Sequence, residues 1–406
     1  MAEFAEAIPS LRVGFIYNHE VPHQVAHTAP ILKELLLRYP SLDVDVLTST
    51  DEQKKLVKSG LGTELSNQTR FIDLEVGKAD RGVLKAANAV APARRISILK
   101  NNLDIFRKYD VFVVPESTSL ILKSQFGLDH LKFILTHHGA GDRSVTEKES
   151  IRDFDFVLVP GEKLKKRHLE RGLIRKGSYA VCGYPKFDFV PHTPANLNLF
   201  DNDNPTVVYN PHFDPYLSSW YDMGQDVLDA FLNAPDINLI FAPHIMLFQR
   251  KLHTSVEHKR VKFRKSLPER FYKAPNIHID LGSTKSVDMT YTRSADIYLG
   301  DVSSQVYEFL ERRRPTIFLN SHEADWAGNP FYMSWTTGPV LNGVDDLIET
   351  VREAKATHDS YLPAQNFAFE ETFDFFEGKA SAVAADSIAE FLKYQSLAET
   401  ELEAAE

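Results

Sequence analysis

Short apolar segments that alternate with helical patterns are the feature that most constrains the fold of this chain. In the first half these segments cover residues 12–18, 44–47, 71–76, 110–114, 132–135, 156–159 and 179–181. In the second half they cover residues 206–209, 237–241, 277–279, 297–299, 316–319 and 339–341. Apolar strands alternating with helices are typical of a parallel sheet covered on both faces. The sequence therefore predicts an α/β fold with two doubly wound parallel sheets in two Rossmann-like domains.

A stretch without apolar periodicity separates the two halves. Residues 191–205 are rich in Pro, Asn and Asp, a composition typical of a linker. We expect an N-terminal domain over 1–190, the linker over 191–205, a C-terminal domain over 206–375 and a final helical segment over 376–406. The final helix could pack back on the N-terminal domain. Ligands of such sheets bind beyond the carboxyl ends of the strands, so the cleft between two facing domains is the expected site.

Composition narrows the partners of the chain. The net charge of −10 argues against a nucleic-acid partner held by general electrostatics. The single cysteine, Cys182, fits a reducing compartment and excludes a multi-cysteine metal site. With neither a signal-peptide pattern nor a long apolar run, we expect a cytoplasmic protein, at most peripheral at the inner face of the cell membrane. Two basic runs, 163–176 and 250–265, are interpreted as solvated helix faces that could instead meet an anionic membrane or a polyanionic acceptor.

The segment 295–320 has the pattern strand, turn, helix, strand. It places Ser303 and Ser304 at the start of a helix and just after a strand. Free backbone N–H groups and the positive end of the helix dipole suit a phosphate at such a position. The alternative is that Asp301 or Ser303 only caps the helix. Glu308, one turn beyond Ser304, could accept hydrogen bonds from a ribose or could be a solvated helix residue.

Histidines follow three other predicted strands. In the turn Thr136-His137-His138-Gly139-Ala140-Gly141-Asp142-Arg143, glycines permit close backbone approach, a histidine could act as a base and Arg143 could hold a phosphate. His212 and His244 follow the strands 206–209 and 237–241. Each histidine alone could equally be structural, and no recognised metal motif includes them. We therefore expect no bound metal and no cofactor apart from the nucleotide donor as substrate.

The order of these motifs resembles that of the CDP-glycerol glycerophosphotransferases, the polymerases and primases of teichoic acids. The matching elements are His138-Gly139, the strand 153–160, Gly183-Tyr184-Pro185, the strand 207–211, Pro243-His244 and Asp301-Val302-Ser303-Ser304. The resemblance implies a GT-B glycosyltransferase fold that works without a metal. It implies that His138 is the base that deprotonates the acceptor hydroxyl. It also implies that His244 contacts the donor phosphates and that Ser303 and Ser304 bind the pyrophosphate.

The expected function follows from this resemblance. We expect a transferase that moves a polyol phosphate or sugar from a nucleotide-diphosphate donor to a hydroxyl of a cell-envelope glycan or related acceptor. Catalytic roles are expected for His138 and His244, and donor contacts for Gly139, Arg143, His212, Asp301, Ser303, Ser304 and Glu308. The sequence 210–213 lacks the arginine usual in the family, so the donor need not be CDP-glycerol. The alternatives are a nucleotide-sugar 2-epimerase or hydrolase of the same fold, or a non-catalytic nucleotide-binding protein.

Overall fold

The computed structural model describes residues 11–18, 24–75, 93–137, 139–143, 147–190, 197–255, 257–374 and 378–403. The chain divides into two compact units. The first unit comprises Met1–His138, Glu147–Val190 and Phe373–Glu406, and the second comprises Gly139–Thr146 and Pro191–Thr372. The short segment Gly139–Thr146 therefore belongs to the second unit, although the strand that precedes it belongs to the first.

The first unit is built on a seven-stranded parallel sheet with the order β3-β2-β1-β4-β5-β6-β7. Its strands are β1 Arg12–Tyr17, β2 Asp43–Thr48, β3 Arg70–Asp73, β4 Val111–Val114, β5 Lys132–Thr136, β6 Phe156–Val159 and β7 Tyr179–Val181. Its helices are α1 Val25–Arg38, α2 Asp51–Leu61, α3 Thr63–Gln68, α4 Ala93–Asn101, α5 Leu103–Phe106, α6 Ile121–Ser124, α7 Glu162–Glu170 and α8 Lys186–Phe189. The central strands are wholly buried because both faces of the sheet are covered.

The C-terminal helix packs against the sheet and the first helix of this unit. The helix, Ala380–Glu403, is α15 in the numbering used here. Phe391 stacks on Phe156 of β6 with ring centroids 4.9 Å apart. The Asp386 carboxylate of α15 accepts two hydrogen bonds of 2.7 Å from the Arg38 guanidinium at the end of α1. An apolar helix face and a polar clamp thus fix the end of the chain to the first unit.

The second unit contains a six-stranded parallel sheet with the order β12-β9-β8-β13-β14-β15. Its strands are β8 Thr206–Asn210, β9 Asn238–Phe241, β12 Ile277–Ile279, β13 Ile297–Gly300, β14 Thr316–Leu319 and β15 Val340–Leu341. Its helices are α9 Trp220–Leu232, α10 Glu269–Tyr272, α11 Thr290–Ser294, α12 Gln305–Phe309, α13 Leu347–Thr357 and α14 Leu362–Thr372. Short 3-10 helices complete both units.

An antiparallel hairpin interrupts the alternation in the second unit. Its strands are β10 Leu252–Ser255 and β11 Arg260–Phe263. They lie inside the basic run 250–265, so the prediction of a solvated helix face is wrong there. His253 and Ser255 are buried whereas Leu252 and Thr254 are exposed, and this period of two is that of a strand. The basic run 163–176 does begin with a helix, α7.

The predicted α/β class with two doubly wound parallel sheets is confirmed. Most strand bounds agree with the sequence pattern to within one or two residues. Among the described residues, no helix combines the length and the apolar character needed to cross a membrane.

Candidate functional site

Three neighbouring strands of the second unit end in polar turns that are joined by side-chain hydrogen bonds. Strand β8 lies between β9 and β13, so their carboxyl ends are adjacent. Asn210, the last residue of β8, donates from Nδ2 to the Ala242 carbonyl after β9 at 2.6 Å. Its Oδ1 accepts from the Ser303 hydroxyl after β13 at 2.9 Å. Asn210 therefore holds the three turns in register at one edge of the sheet.

Asp301 makes a second, buried connection between β13 and β8. Its side chain is 0% exposed, and its carboxylate accepts from the backbone N–H groups of His212 at 3.0 Å and Val302 at 2.7 Å. Ser219 adds its N–H at 2.7 Å and its hydroxyl at 2.8 Å. Burial outweighs these bonds and raises the pKa of Asp301 to about 6. The side chain thus supports the turn that carries His212.

Ser303 and Ser304 occupy different environments. The Ser303 hydroxyl, besides its bond to Asn210, accepts from the N–H of Gln305, the first residue of α12, at 3.3 Å. The Ser304 hydroxyl is half-buried and has no hydrogen-bond partner within the described part of the chain. Helix α12 has only five residues, so its dipole is small. An anion at this turn would be bound mainly by local N–H and O–H groups. Ser304 is therefore the serine available to a ligand.

The glycine turn 139–143 lies against Ser304. A Cβ atom added at Gly139 would lie 3.6 Å from the Ser304 Oγ, and one added at Gly141 would lie 3.3 Å from the Ser304 Cβ. Asp142 anchors the turn, because it accepts from the Tyr307 hydroxyl at 2.6 Å and from the Ser334 N–H at 2.9 Å. Larger side chains at the glycines would crowd Ser304 and the space beside it.

Anchoring of the turn brings Arg143 to His212. The Arg143 Nη1 lies 3.1 Å from the His212 Nε2. The His212 Nδ1 accepts from the Asp214 backbone N–H at 3.0 Å, so a neutral His212 carries its proton on Nε2. Burial first, and then the charge of Arg143, lowers the pKa of His212 well below its ordinary value. Two hydrogen-bond donors, the His212 Nε2–H and the Arg143 guanidinium, therefore face each other. An anion could accept a hydrogen bond from both of them.

Two carboxylates lie near Arg143. Its Nη2 lies 3.9 Å from the Asp214 Oδ2 and 3.9 Å from the Glu257 Oε2. Burial lowers the pKa of Arg143, and these two carboxylates act in the opposite direction. The guanidinium thus keeps its charge in a poorly solvated position, where it attracts an anionic group strongly.

His244 lies beside the same cluster. Its ring centroid is 5.2 Å from that of His212 and 4.7 Å from that of Phe213. The Met246 N–H donates to its Nδ1 at 3.3 Å, which leaves Nε2 as the protonated nitrogen of a neutral ring. Burial, followed by the charge of Arg143, lowers the pKa of His244 to about 4. At neutral pH this histidine is therefore a neutral hydrogen-bond donor.

The structure brings together five of the residues singled out from the sequence, namely Gly139, Arg143, His212, His244 and Ser304. Three others, Asp301, Ser303 and Glu308, are 0%, 6% and 4% exposed. Asp301 and Ser303 belong to the framework because their side chains bond to the turn after β8. His138 lies outside the described residues. The catalytic and donor-binding roles of all these residues stay predictions.

Sequence reasoning missed the residues that position the cluster. Asp142 was part of the quoted turn, but its partners Tyr307 and Ser334 are far away in sequence and no local pattern links them. Ser219 escaped notice for the same reason, since its partner Asp301 is 82 residues away, whereas the bond from the Asp214 N–H to His212 is local and was also missed. A carboxylate directly after Gly141, in a turn with two glycines, is the one signal that could have identified Asp142 as an anchor. Among the described residues, no group of three or more His, Cys, Asp or Glu side chains could hold a metal ion.

Comparison with known proteins gives a fold relationship. No family model matches the sequence, and no curated protein matches it. A structure of a variant of the wall teichoic acid polymerase TagF with CDPG aligns with a TM-score of 0.62 and 14% identity, covering 95% of this chain and 90% of that one. The S. aureus MnaA structure with UDP has a TM-score of 0.60 and 14% identity, covering 95% and 96%.

A third relative by structure is the UDP-GlcNAc 2-epimerase from Neisseria meningitidis bound to UDP-GlcNAc. Its TM-score is 0.56 at 14% identity, with 94% of this chain and 99% of that chain covered. The TM-scores establish a common fold, and the low sequence identities leave the activity open. The GT-B fold class that the sequence predicted, with two Rossmann-like domains, is thereby confirmed.

Proposed function

We propose that the second unit binds the diphosphate of a nucleotide-diphosphate donor and that the protein is a GT-B-type transferase. The observation that carries the proposal is that Arg143, His212 and Ser304, which lie on three different turns, meet at one edge of the sheet. The Arg143 Nη1 and the His212 Nε2 are 3.1 Å apart, and the hydrogen bond from the Asp214 N–H to Nδ1 assigns the proton of the neutral ring to Nε2. A diphosphate oxygen would accept from both and would remove the conflict between them. The neutral His244 and the Ser304 hydroxyl would add donors on either side.

Such a site suits the departure of a nucleotide. Transfer from a nucleotide-diphosphate donor leaves negative charge on the departing phosphate, and fixed donors in a poorly solvated place stabilise that charge. The framework residues Asp301, Ser303 and Asp142 would keep the donors in position. Glu308, which is 4% exposed, is not needed to bind the diphosphate, and its predicted contact with a ribose stays a prediction.

The transferred group would be a polyol phosphate or a sugar, and the acceptor a hydroxyl of a cell-envelope glycan or related molecule. This finer assignment rests on the motif resemblance to the glycerophosphotransferases and on the structural likeness to TagF. His138 would take the proton of the acceptor hydroxyl as general base.

Replacement of His138 by Ala tests the transferase assignment. We expect turnover to fall at least ~100-fold, in line with the contribution of a general base, while nucleotide binding measured by calorimetry is retained. His130→Ala, an exposed histidine in the first unit, is the matched control and should leave both properties unchanged. Full turnover in the His138 variant would disprove the base assignment.

The second candidate is a nucleotide-sugar 2-epimerase or hydrolase. It is favoured by the epimerase structures, one of which matches 96% of this chain with a TM-score of 0.58. Product analysis separates the two, because an epimerase or hydrolase converts the donor without any acceptor. If the protein changes UDP-GlcNAc in the absence of an acceptor, the transferase proposal fails.

A further inference from the structure

The hairpin β10–β11 presents an apolar face to solvent. In its register Leu252 pairs with Phe263, and Thr254 pairs with Val261, so these four side chains share one face. Phe263 is 76% exposed, Val261 60% and Leu252 45%. On the opposite face His253 and Ser255 are buried, whereas Arg260, the partner of Ser255, is exposed. We call the exposed face, together with the cationic residues around it, the hairpin surface.

Cationic side chains surround this apolar face. The run 250–265 contains seven Lys and Arg residues and one Glu, a net charge of +6 in a chain whose net charge is −10. Five of the seven are exposed, namely Arg250, Lys251, Lys259, Arg260 and Lys265. Lys262, at the edge of this group, forms an ion pair with Asp222 of α9 at 2.6 Å. The hairpin surface is thus a local basic patch on an acidic protein.

We propose that the hairpin surface docks on an anionic membrane surface. Exposed apolar side chains flanked by Lys and Arg match the interface of a bilayer, where the rings enter the headgroup boundary and the cations contact anionic lipids. A polyanion such as nucleic acid would be attracted by the cations but would give no reason for Phe263 and Val261 to be exposed together. A second copy of the chain would bring two patches of the same charge face to face.

Docking would bring the candidate site near the lipid headgroups. Glu257, in the hairpin loop, lies 3.9 Å from Arg143, and His258 stacks on Tyr216 with ring centroids 4.1 Å apart. An acceptor held at the membrane surface would then be close to the donor cluster. The docking itself does not rest on the proposed transferase activity, since binding to a membrane is measured without turnover.

Sedimentation with lipid vesicles tests the proposal. The probes are vesicles of phosphatidylcholine alone and of phosphatidylcholine mixed with phosphatidylglycerol. We expect the full-length protein to bind only the anionic vesicles and to be released as salt rises. Each cation near an anionic surface strengthens binding roughly 5-fold, so Lys251→Gln combined with Lys259→Gln should weaken it about 25-fold. Phe263→Ser should weaken it roughly 10-fold or more through lost apolar contact.

Matched controls come from exposed residues elsewhere. Phe367→Ser removes an aromatic ring that is 58% exposed in α14, and Lys55→Gln combined with Lys108→Gln removes two exposed charges from the first unit. These controls should bind anionic vesicles as the unchanged protein does. As an independent readout, the fluorescence of Phe263→Trp should shift to shorter wavelength on anionic vesicles, beyond any change in the unchanged protein.

Each outcome of the vesicle experiment either supports or overturns membrane docking. Selective weakening by the hairpin variants, with normal thermal unfolding and a blue shift for Phe263→Trp, supports the proposal. Failure to bind anionic vesicles overturns it, as does equal loss of binding in the control variants. Binding to heparin or DNA without binding to vesicles would assign the hairpin surface to a polyanion instead. A change of oligomeric state in Phe263→Ser, without an effect on vesicle binding, would assign it to a second copy of the chain.

Discussion

Replacement of Asp301 by Asn probes the connection that holds the candidate site together. Both carboxylate oxygens accept hydrogen bonds, from the N–H groups of His212, Val302 and Ser219 and from the Ser219 hydroxyl. An amide has one acceptor oxygen and one donor group, so at least one buried N–H meets a donor in the variant. Each such loss costs about 1–3 kcal/mol. We therefore expect the variant to be less stable than the unchanged protein.

The pH dependence of this loss has a definite sign. Burial raises the pKa of Asp301 from 3.8 to about 6. Between these values the folded protein holds a proton that the unfolded chain releases, so the carboxyl stabilises the fold at pH values below 3.8 and loses that contribution as the pH rises through 6. The full swing is roughly 3 kcal/mol, of which roughly 1 kcal/mol falls between pH 5 and pH 7.

Urea unfolding followed by tryptophan fluorescence measures the effect. The three tryptophans, Trp220, Trp326 and Trp335, all belong to the second unit, so the signal reports that unit. The free energy of unfolding is determined for the unchanged protein and for Asp301→Asn at pH 5, 6 and 7. Taking the difference between the two proteins cancels the other titrating groups. We expect the advantage of the unchanged protein to shrink by roughly 1 kcal/mol from pH 5 to pH 7.

Two results would refute this reasoning. If the advantage grows with pH, the hydrogen bonds outweigh burial and Asp301 is held as an anion. If the two proteins are equally stable at every pH, Asp301 is not an anchor. Asp226→Asn, an exposed carboxylate in α9, is the matched control and should change the unfolding free energy by less than about 0.5 kcal/mol.

Three further substitutions test neighbouring parts of the second unit. Gly300→Ala places a Cβ atom 2.6 Å from the Tyr298 ring and should destabilise the unit by about 1–3 kcal/mol in the same urea assay. Tyr307→Phe removes the hydroxyl that donates to Asp142 and should weaken nucleotide binding, measured by calorimetry. Unchanged binding would show that the glycine turn does not contribute to the ligand site. The pKa of His244 is lowered to about 4, so the stability that this residue contributes is present above pH 6.5 and is lost as the pH falls towards 4. The unfolding free energy of His244→Gln should therefore fall less than that of the unchanged protein between pH 6.5 and pH 4.

The strands were readable from the sequence because buried parallel strands are continuous apolar runs. The predicted bounds 156–159, 179–181, 277–279 and 316–319 coincide with those of β6, β7, β12 and β14. The hairpin β10–β11 was missed because its basic residues masked the alternation of buried and exposed positions. A hairpin on the outside of a unit has only one buried face, and charged side chains on the other face resemble those of a solvated helix.

The chemistry-bearing turns were also readable, because parallel strands end at one edge of a sheet. What could not be predicted is which serine is available. The Ser303 hydroxyl is used by Asn210, 93 residues earlier in the chain, and only the fold brings the two together. The same holds for Arg143 and His212, which are 69 residues apart. Long-range hydrogen bonds of this kind leave no local pattern in a sequence.

The contacts that position the glycine turn are also long-range in sequence. Asp142 is 165 residues from Tyr307 and 192 residues from Ser334, yet both donate to its carboxylate. Local composition indicated that the backbone could approach a ligand at Gly139 and Gly141. It could not indicate that the turn is anchored to the second unit, because the anchor depends on tertiary contacts.

Binding of a diphosphate by Arg143 and its neighbours is the central proposal for this protein. Calorimetry with CDP, UDP and GDP, and with the corresponding monophosphates, measures this directly on the unchanged protein and on Arg143→Gln. We expect one nucleoside diphosphate to bind more tightly than its monophosphate, and Arg143→Gln to weaken the diphosphate roughly 10-fold or more through loss of a charged hydrogen bond. Arg38→Gln, in the first unit, should bind as the unchanged protein does. If no diphosphate binds, or if Arg143→Gln binds it as tightly as before, the proposed donor site is wrong.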